Sequence, residues 1–319
     1  MTNTLDTQKV KMSPPKKERN GLIDLYRFLL ALVVVKSHSL FVLPGPYFGP
    51  GRVCVEFFFV LSGFLFYSFL ERCKDRPILE SLIKLFKSRL LPLAIPLAIG
   101  VVSNIIYSIL EKESFSLWGY LWYVEAMFLA MIVLIILRRF IKNDKAFSLT
   151  ITGIMLVALI LKFSGLCYSW GLIRSASSLP MGILVAMLPK IKPKFKWLVW
   201  GLLIPVIAAC FYIICFNLGN TEWFGLRILE LILDNVLYPA LIYLSFCLNF
   251  KCKFFSYLGA LSFGIYAFQC PADLFRLMGV TNIWILFGFI LLATLAEDSG
   301  KRIYRHVRKK RCENALQQS

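Results

Sequence analysis

The sequence predicts an all-α integral membrane protein, a bundle of about ten transmembrane helices with both termini in the cytoplasm. Three observations predict it. Of 319 residues, 58% are hydrophobic and 15% aromatic, and the mean hydropathy is +0.70, more apolar than a soluble domain of this length. The apolar stretches run to about 20 residues, long enough to cross a bilayer as helices. The basic residues gather in short segments between those stretches, and alternate segments fall on one side.

In chain order, residues 1–20 form a basic tail of disordered composition, followed by a transmembrane domain over 21–298 and a basic tail over 299–319. Within the domain the spans are expected at about 21–41, 53–70, 90–110, 118–137, 146–163, 175–189, 197–216, 228–248, 255–277 and 282–297. A turn at Leu43-Pro44-Gly45-Pro46 separates the first two. A basic loop with Arg72, Lys74, Arg76, Lys84, Lys87 and Arg89 follows the second. With ten spans, 28 of the 36 Lys and Arg residues lie on the side that holds both termini. That asymmetry assigns the side to the cytoplasm. No repeat of 20 to 50 residues is visible.

The net charge of +18 does not indicate a nucleic-acid partner, because its distribution is that of a membrane protein. The nine cysteines form no CxxC pair, and with two histidines there is no metal-ligand spacing. They read as small buried hydrophobes. The first twenty residues are polar and lack a cleavable signal pattern.

Chemistry concentrates between Asp24 and Gly63. The first span carries Asp24, Arg27, Lys36 and His38 in an otherwise apolar run. Ionisable groups there are costly in lipid and mark a site or a pathway. Arg27 and His38 are eleven residues apart, about three helical turns and about 16 Å, on one face. Asp24 is within reach of Arg27 as an ion pair. His38 lies about 25 Å along the helix from Gly21, and its imidazole suits a general base. Its structural alternative is a histidine bonded to a backbone carbonyl at a helix end. Arg27 offers planar contacts to phosphate, or only the ion pair with Asp24. Glu56, inside Val55-Glu56-Phe57-Phe58-Phe59, needs a partner in lipid. It either orients an imidazole or pairs with Arg52, Lys36 or another helix. Ser62-Gly63 reads as a packing site.

Asp24-x-x-Arg27, the ten-residue interval to His38, and Val55-Glu56-Phe57-Phe58-Phe59-Val60-Leu61-Ser62-Gly63 together resemble the membrane acyltransferase 3 family. Further echoes follow in order. Arg89-Leu90-Leu91-Pro92 is similar to an R-I-x-P segment. Trp122-Tyr123-x-Glu125 is similar to W-x-x-x-E, one residue shorter. Arg174 before Ser175-Ala176-Ser177-Ser178 and Leu258-Gly259 through Tyr266 match later segments. Where relatives often carry a further His, this chain has Gln269.

The resemblance implies an integral membrane O-acyltransferase of the bacterial cytoplasmic membrane. It would move an acyl group, most often acetyl, from acyl-CoA to a hydroxyl of a glycan or lipid-linked sugar. The donor is a substrate; no tightly bound cofactor and no metal is expected. The implied roles are His38 as base and Glu56 as its orienter, Arg27 and Arg89 at the donor, and Glu125 and Arg174 at the acceptor. Arg89 and Arg174 read equally well as interfacial anchors. The rival reading is a transporter or flippase of a charged glycan intermediate, using Arg174, Arg227, Glu230 and Asp234 as a polar path; the missing repeat speaks against it. Membrane lipids surround the bundle; the sequence does not set its oligomeric state.

Reporter fusions at Ser319 and within residues 217–227 are expected to report opposite sides of the membrane. The same side for both overturns the ten-span arrangement.

Overall fold

The computed structural model describes residues 19–35, 52–111, 121–164, 171–189, 196–214, 224–280 and 282–317. These residues form an all-helical bundle without strands. In chain order the helices are α1 (Gly21–Val35), α2 (Arg52–Cys73), α3 (Ile78–Leu85), α4 (Ala94–Glu111), α5 (Trp122–Phe140), α6 (Asp144–Phe163) and α7 (Gly171–Met187). They continue with α8 (Lys196–Tyr212), α9 (Phe224–Ile232), α10 (Tyr238–Leu248), α11 (Lys253–Ala267), α12 (Gln269–Leu277) and α13 (Ile283–Gln317).

Four continuous helical stretches are long and apolar enough to cross a membrane: Val53–Cys73, Ile78–Leu110, Asp144–Phe163 and Ile228–Leu248. Gly171–Met187 and Lys196–Tyr212 are shorter apolar helices. The protein is therefore a helical membrane protein.

The helix ends follow local chemistry. Asn20 caps α1, its side-chain oxygen accepting from Leu22 N at 3.1 Å and Ile23 N at 3.3 Å. Asn143 caps α6 in the same way, through Lys145 N and Ala146 N. α10 stops at Asn249, whose φ of 48° is the left-handed conformation that asparagine tolerates. Gly279, at φ 90°, turns the chain between α12 and α13.

Three details differ from the sequence expectation. The basic loop after the second span contains a helix, α3, because Ile78, Leu82 and Leu85 recur at helical spacing. The expected span 255–277 is two helices, interrupted at Phe268 (φ −80°, ψ 0°). Pro271 falls in the first turn of α12, where a missing N–H is tolerated. The C-terminal basic segment continues α13 as helix to Gln317.

Packing divides the bundle into two cores. The larger is built around α2, α5, α7 and α10, with Phe57, Phe59, Phe66, Leu179 and Tyr238 fully buried. The smaller joins α1, α11, α12 and α13 through Ala31, Val35, Ile265, Phe268, Ala272 and Ile290. α2 and α7 make the most extensive helix pair, followed by α1 and α11. Small residues set the first of these. A Cβ on Gly63 would overlap Leu179 O, and one on Gly182 would overlap Val60 O. Each helix thus rests on the other's backbone, as small residues permit in membrane bundles. At one end, buried Arg138 joins three helices. It donates to Glu71 on α2 at 2.6 Å and to Asp144 on α6, and lies over the Phe147 ring at 4.7 Å.

Gly182→Ala is expected to lower stability by about 1–3 kcal/mol through overpacking. Gly153→Ala, where no atom lies within 4 Å of the added Cβ, should hold or raise stability by up to about 1 kcal/mol from helix propensity. Thermal unfolding of the two purified variants in detergent checks the opposite signs.

Candidate active site

Among the described residues, two polar features besides the Arg138 cluster interrupt the apolar bundle, and α2 contributes to both. The first is a cavity of about 230 Å³ between α1, α2, α5 and α11. Its walls are chiefly apolar, with Val34, Phe58, Leu61, Met127, Met131 and Phe263 among them. Arg27 and Arg89 supply its positive charge, and Ser62, Tyr123, Ser262 and Tyr266 its hydroxyls.

Local structure accounts for where each arginine sits. Asp24 is 3% exposed and accepts from Arg19 at 2.5 Å and from Arg27 at 3.3 Å. Gly259 of α11 makes room for Asp24, since a Cβ there would fall 2.5 Å from Asp24 Cβ. This close approach fixes the register of α1 beside α11 at the level of Arg27. The Arg27 side chain stays 28% exposed. Arg89 lies in the π-helical turn Phe86–Leu90 that follows α3. It donates to Leu65 O at 3.3 Å, on α2. Two guanidinium groups from different elements therefore face one apolar cavity. On α5, the Tyr123 hydroxyl lies 3.3 Å from both Ser62 Oγ and Met127 Sδ.

The second feature is a buried ionic network, deep in the bundle, that joins α2, α6, α7 and the α9–α10 region. Glu56 has no exposed surface. Its Oε1 accepts from Arg174 Nε at 2.7 Å and Lys162 Nζ at 3.1 Å, and its Oε2 from Ser178 Oγ. Lys162 Nζ also reaches Asp234 Oδ2 at 2.8 Å and Glu230 Oε1 at 3.7 Å. The Arg174 guanidinium lies over the Trp122 ring at 5.2 Å. Buried charges survive only when paired and hydrogen-bonded, and here each one is paired.

The structure thus sorts the candidate residues into groups. Arg27 and Arg89 come together at the cavity. Glu56 and Arg174 come together in the network. Glu125 is half-buried on α5, outside both. His38 lies outside the described residues; Val34, four residues earlier in the chain, lines the cavity. Glu56 meets the need for a partner through other helices, the alternative its position left open.

Lys162 escaped sequence reasoning. Its signal was present: a lone ammonium in Leu159-Ile160-Leu161-Lys162-Phe163 is costly in lipid unless a carboxylate faces it. Glu230 and Asp234 read as intramembrane acids, but nothing in the sequence links them to a cation 68 and 72 residues away.

Comparison with known proteins adds one finding. The model of the acyltransferase 3 family, described as an acyltransferase domain, matches residues 20–296. No curated protein and no solved structure matches the chain.

Lys162→Met is expected to destabilise the protein by about 3–5 kcal/mol, because it removes the cation that Glu56, Glu230 and Asp234 share in the buried network. Adding Asp234→Leu should recover part of that loss, since Glu56 keeps Arg174 while Glu230 has still lost Lys162. Unfolding midpoints of the single and double variants in detergent measure both steps; equal midpoints would reject the pairing as a source of stability.

Proposed function

Because the chain belongs to the acyltransferase 3 family, a family of membrane acyltransferases, we propose that it transfers an acyl group, acetyl in the first instance, from acyl-CoA to a hydroxyl of a cell-surface or lipid-linked glycan. The observation that carries this reading is the pair Arg27 and Arg89 on one chiefly apolar cavity. Coenzyme A has the same division: phosphates at one end and a long, weakly polar arm ending in the thioester. Guanidinium groups bind phosphate with planar, multidentate geometry. Apolar walls suit the arm and exclude the water that would hydrolyse the thioester. In this reading the arm and its acyl group would enter the cavity and the nucleotide would remain at its mouth.

In the proposed reaction, His38 takes the proton from the acceptor hydroxyl as its oxygen attacks the thioester carbonyl carbon. The C–S bond then breaks and the coenzyme thiolate leaves, receiving the proton back from the imidazolium. The sequence expectation of eleven helical residues between Arg27 and His38, about 16 Å, would let phosphates and thioester be served from opposite ends of one donor site. Glu56 supports this arrangement by holding α2 in place rather than by presenting a free carboxylate. The ten-span arrangement with both termini cytoplasmic would deliver acyl-CoA from the cytoplasm of a bacterial cell to an acceptor reached from the opposite face.

The transporter reading draws on Glu230 and Asp234 as parts of a polar path. Both carboxylates are engaged by Lys162, which favours a structural role for them.

His38→Ala is expected to remove transfer while leaving protein abundance intact. General base catalysis contributes about 10² to 10⁴-fold, so ester per unit of inserted protein should fall near background, with coenzyme binding retained. Arg27→Lys should instead weaken coenzyme binding, since charge remains and the fork is lost. Acyl ester on surface glycans by mass spectrometry and coenzyme A binding to purified protein separate the two. Near-normal specific activity in His38→Ala rejects the mechanism.

A further inference from the structure

The connection between α2 and α4 carries a surface that the proposed reaction does not use. The helical stretch Ile78–Leu110 is 33 residues long, about 50 Å at helical rise. The hydrocarbon core is about 30 Å thick, and α4 alone, at 18 residues, spans about 27 Å. α3 is therefore surplus to the crossing. A π-helical turn at Phe86–Leu90 and a tight 3₁₀ turn containing Pro92 separate it from α4, and such irregularities are where helices bend.

The three faces of α3 have different characters. Ser81 and Leu85 are buried, on the side packed towards α5. Leu79, Ile83 and Phe86 form an outward row, exposed by 70%, 46% and 53%. About 100° round the helix runs a polar row of Glu80, Lys84 and Lys87. Glu80 is neutralised by Arg76 at 2.8 Å. Lys84 and Lys87 enter no ion pair among the described residues. A single amphipathic helix thus shows lipid an apolar row and, beside it, two uncompensated lysines. That is the pattern of a helix lying in the membrane plane at headgroup depth.

We propose that α3 lies in the membrane interface and that Lys84 and Lys87 hold the headgroups of anionic phospholipid. The apolar row enters the acyl boundary, and the two ammonium groups meet the phosphates above it. A lipid-held α3 also fixes the start of the turn that carries Arg89.

The test uses the purified full-length protein in vesicles of phosphatidylcholine and phosphatidylglycerol in equal amounts, with lipid retained by the protein counted by native mass spectrometry. The wild type is expected to enrich phosphatidylglycerol. The double variant Lys84→Gln, Lys87→Gln should lose about thirty-fold of that preference, from the attraction of each lysine to an anionic leaflet. Arg139→Gln with Lys145→Gln, which removes the same charge from the α5–α6 corner, should keep it. In parallel, a photoreactive diazirine side chain placed at Leu79 should label lipid, and one at Ser81, on the buried face of α3, should not. Unchanged preference in the α3 variant overturns the proposal. So does an equal loss in the control pair, which would make the effect one of general surface charge. Cross-linking of Leu79 to a second copy of the chain instead of lipid overturns it as well, and points to self-association through α3.

Discussion

Lys162 is the interaction on which the rest of the bundle depends. A single ammonium draws Glu56, Glu230 and Asp234 around itself, and Arg174 closes the set from α7. In lipid there is little hydrophobic drive between helices, because the surroundings are as apolar as the side chains. A buried charge set that is satisfied only when several helices meet in one register supplies a specificity that apolar packing lacks. The Gly63 and Gly182 contacts act at shorter range, letting α2 and α7 meet backbone to backbone.

This arrangement makes α2 the common wall of two environments. One face presents Glu56 to the network; another presents Phe58, Leu61, Ser62 and Leu65 to the cavity. The cavity is bounded on the far side by α1, which contributes to both cores, and by α11, which packs into the smaller one through Leu261 and Ile265. It therefore occupies the seam between two packed units, where side chains from both can line it without either core being breached. Methionines 127 and 131 on that lining are flexible and polarizable, so the walls can adapt to a bound chain.

Much of the fold was legible because apolar length is a direct consequence of bilayer thickness, and the expected apolar stretches that the structure describes are helical, though 255–277 is split into two helices. What stayed hidden were features that hydropathy averages away. α3 is only eight residues, too short to register between basic residues, and the break at Phe268 carries no glycine or charge to mark it. Of the site, Asp24 with Arg27 was readable from an interval of three on one helix, and the structure forms that pair. Arg89 beside Arg27 required a resemblance, since nothing in the spacing joins residues of different helices. Lys162 with Asp234 is the same problem in starker form: a partner is demanded by the physics of lipid, but the sequence does not say which helix supplies it. Glu56 shows the opposite case, where the need was plain and the solution lay in three residues on two other helices.

The length of α13 has a mechanical meaning. Its 35 residues extend about 52 Å, while a bilayer core takes up only about 30 Å. From Lys301 to Gln317 the helix carries seven Lys and Arg residues, so about 25 Å of it belongs outside hydrocarbon, a stiff post braced near its base by Arg302 over the Tyr257 ring at 4.8 Å. Whatever is joined to the far end is not tethered but aimed. Each residue added to the helix lifts it by about 1.5 Å and swings it by about 100° around the axis.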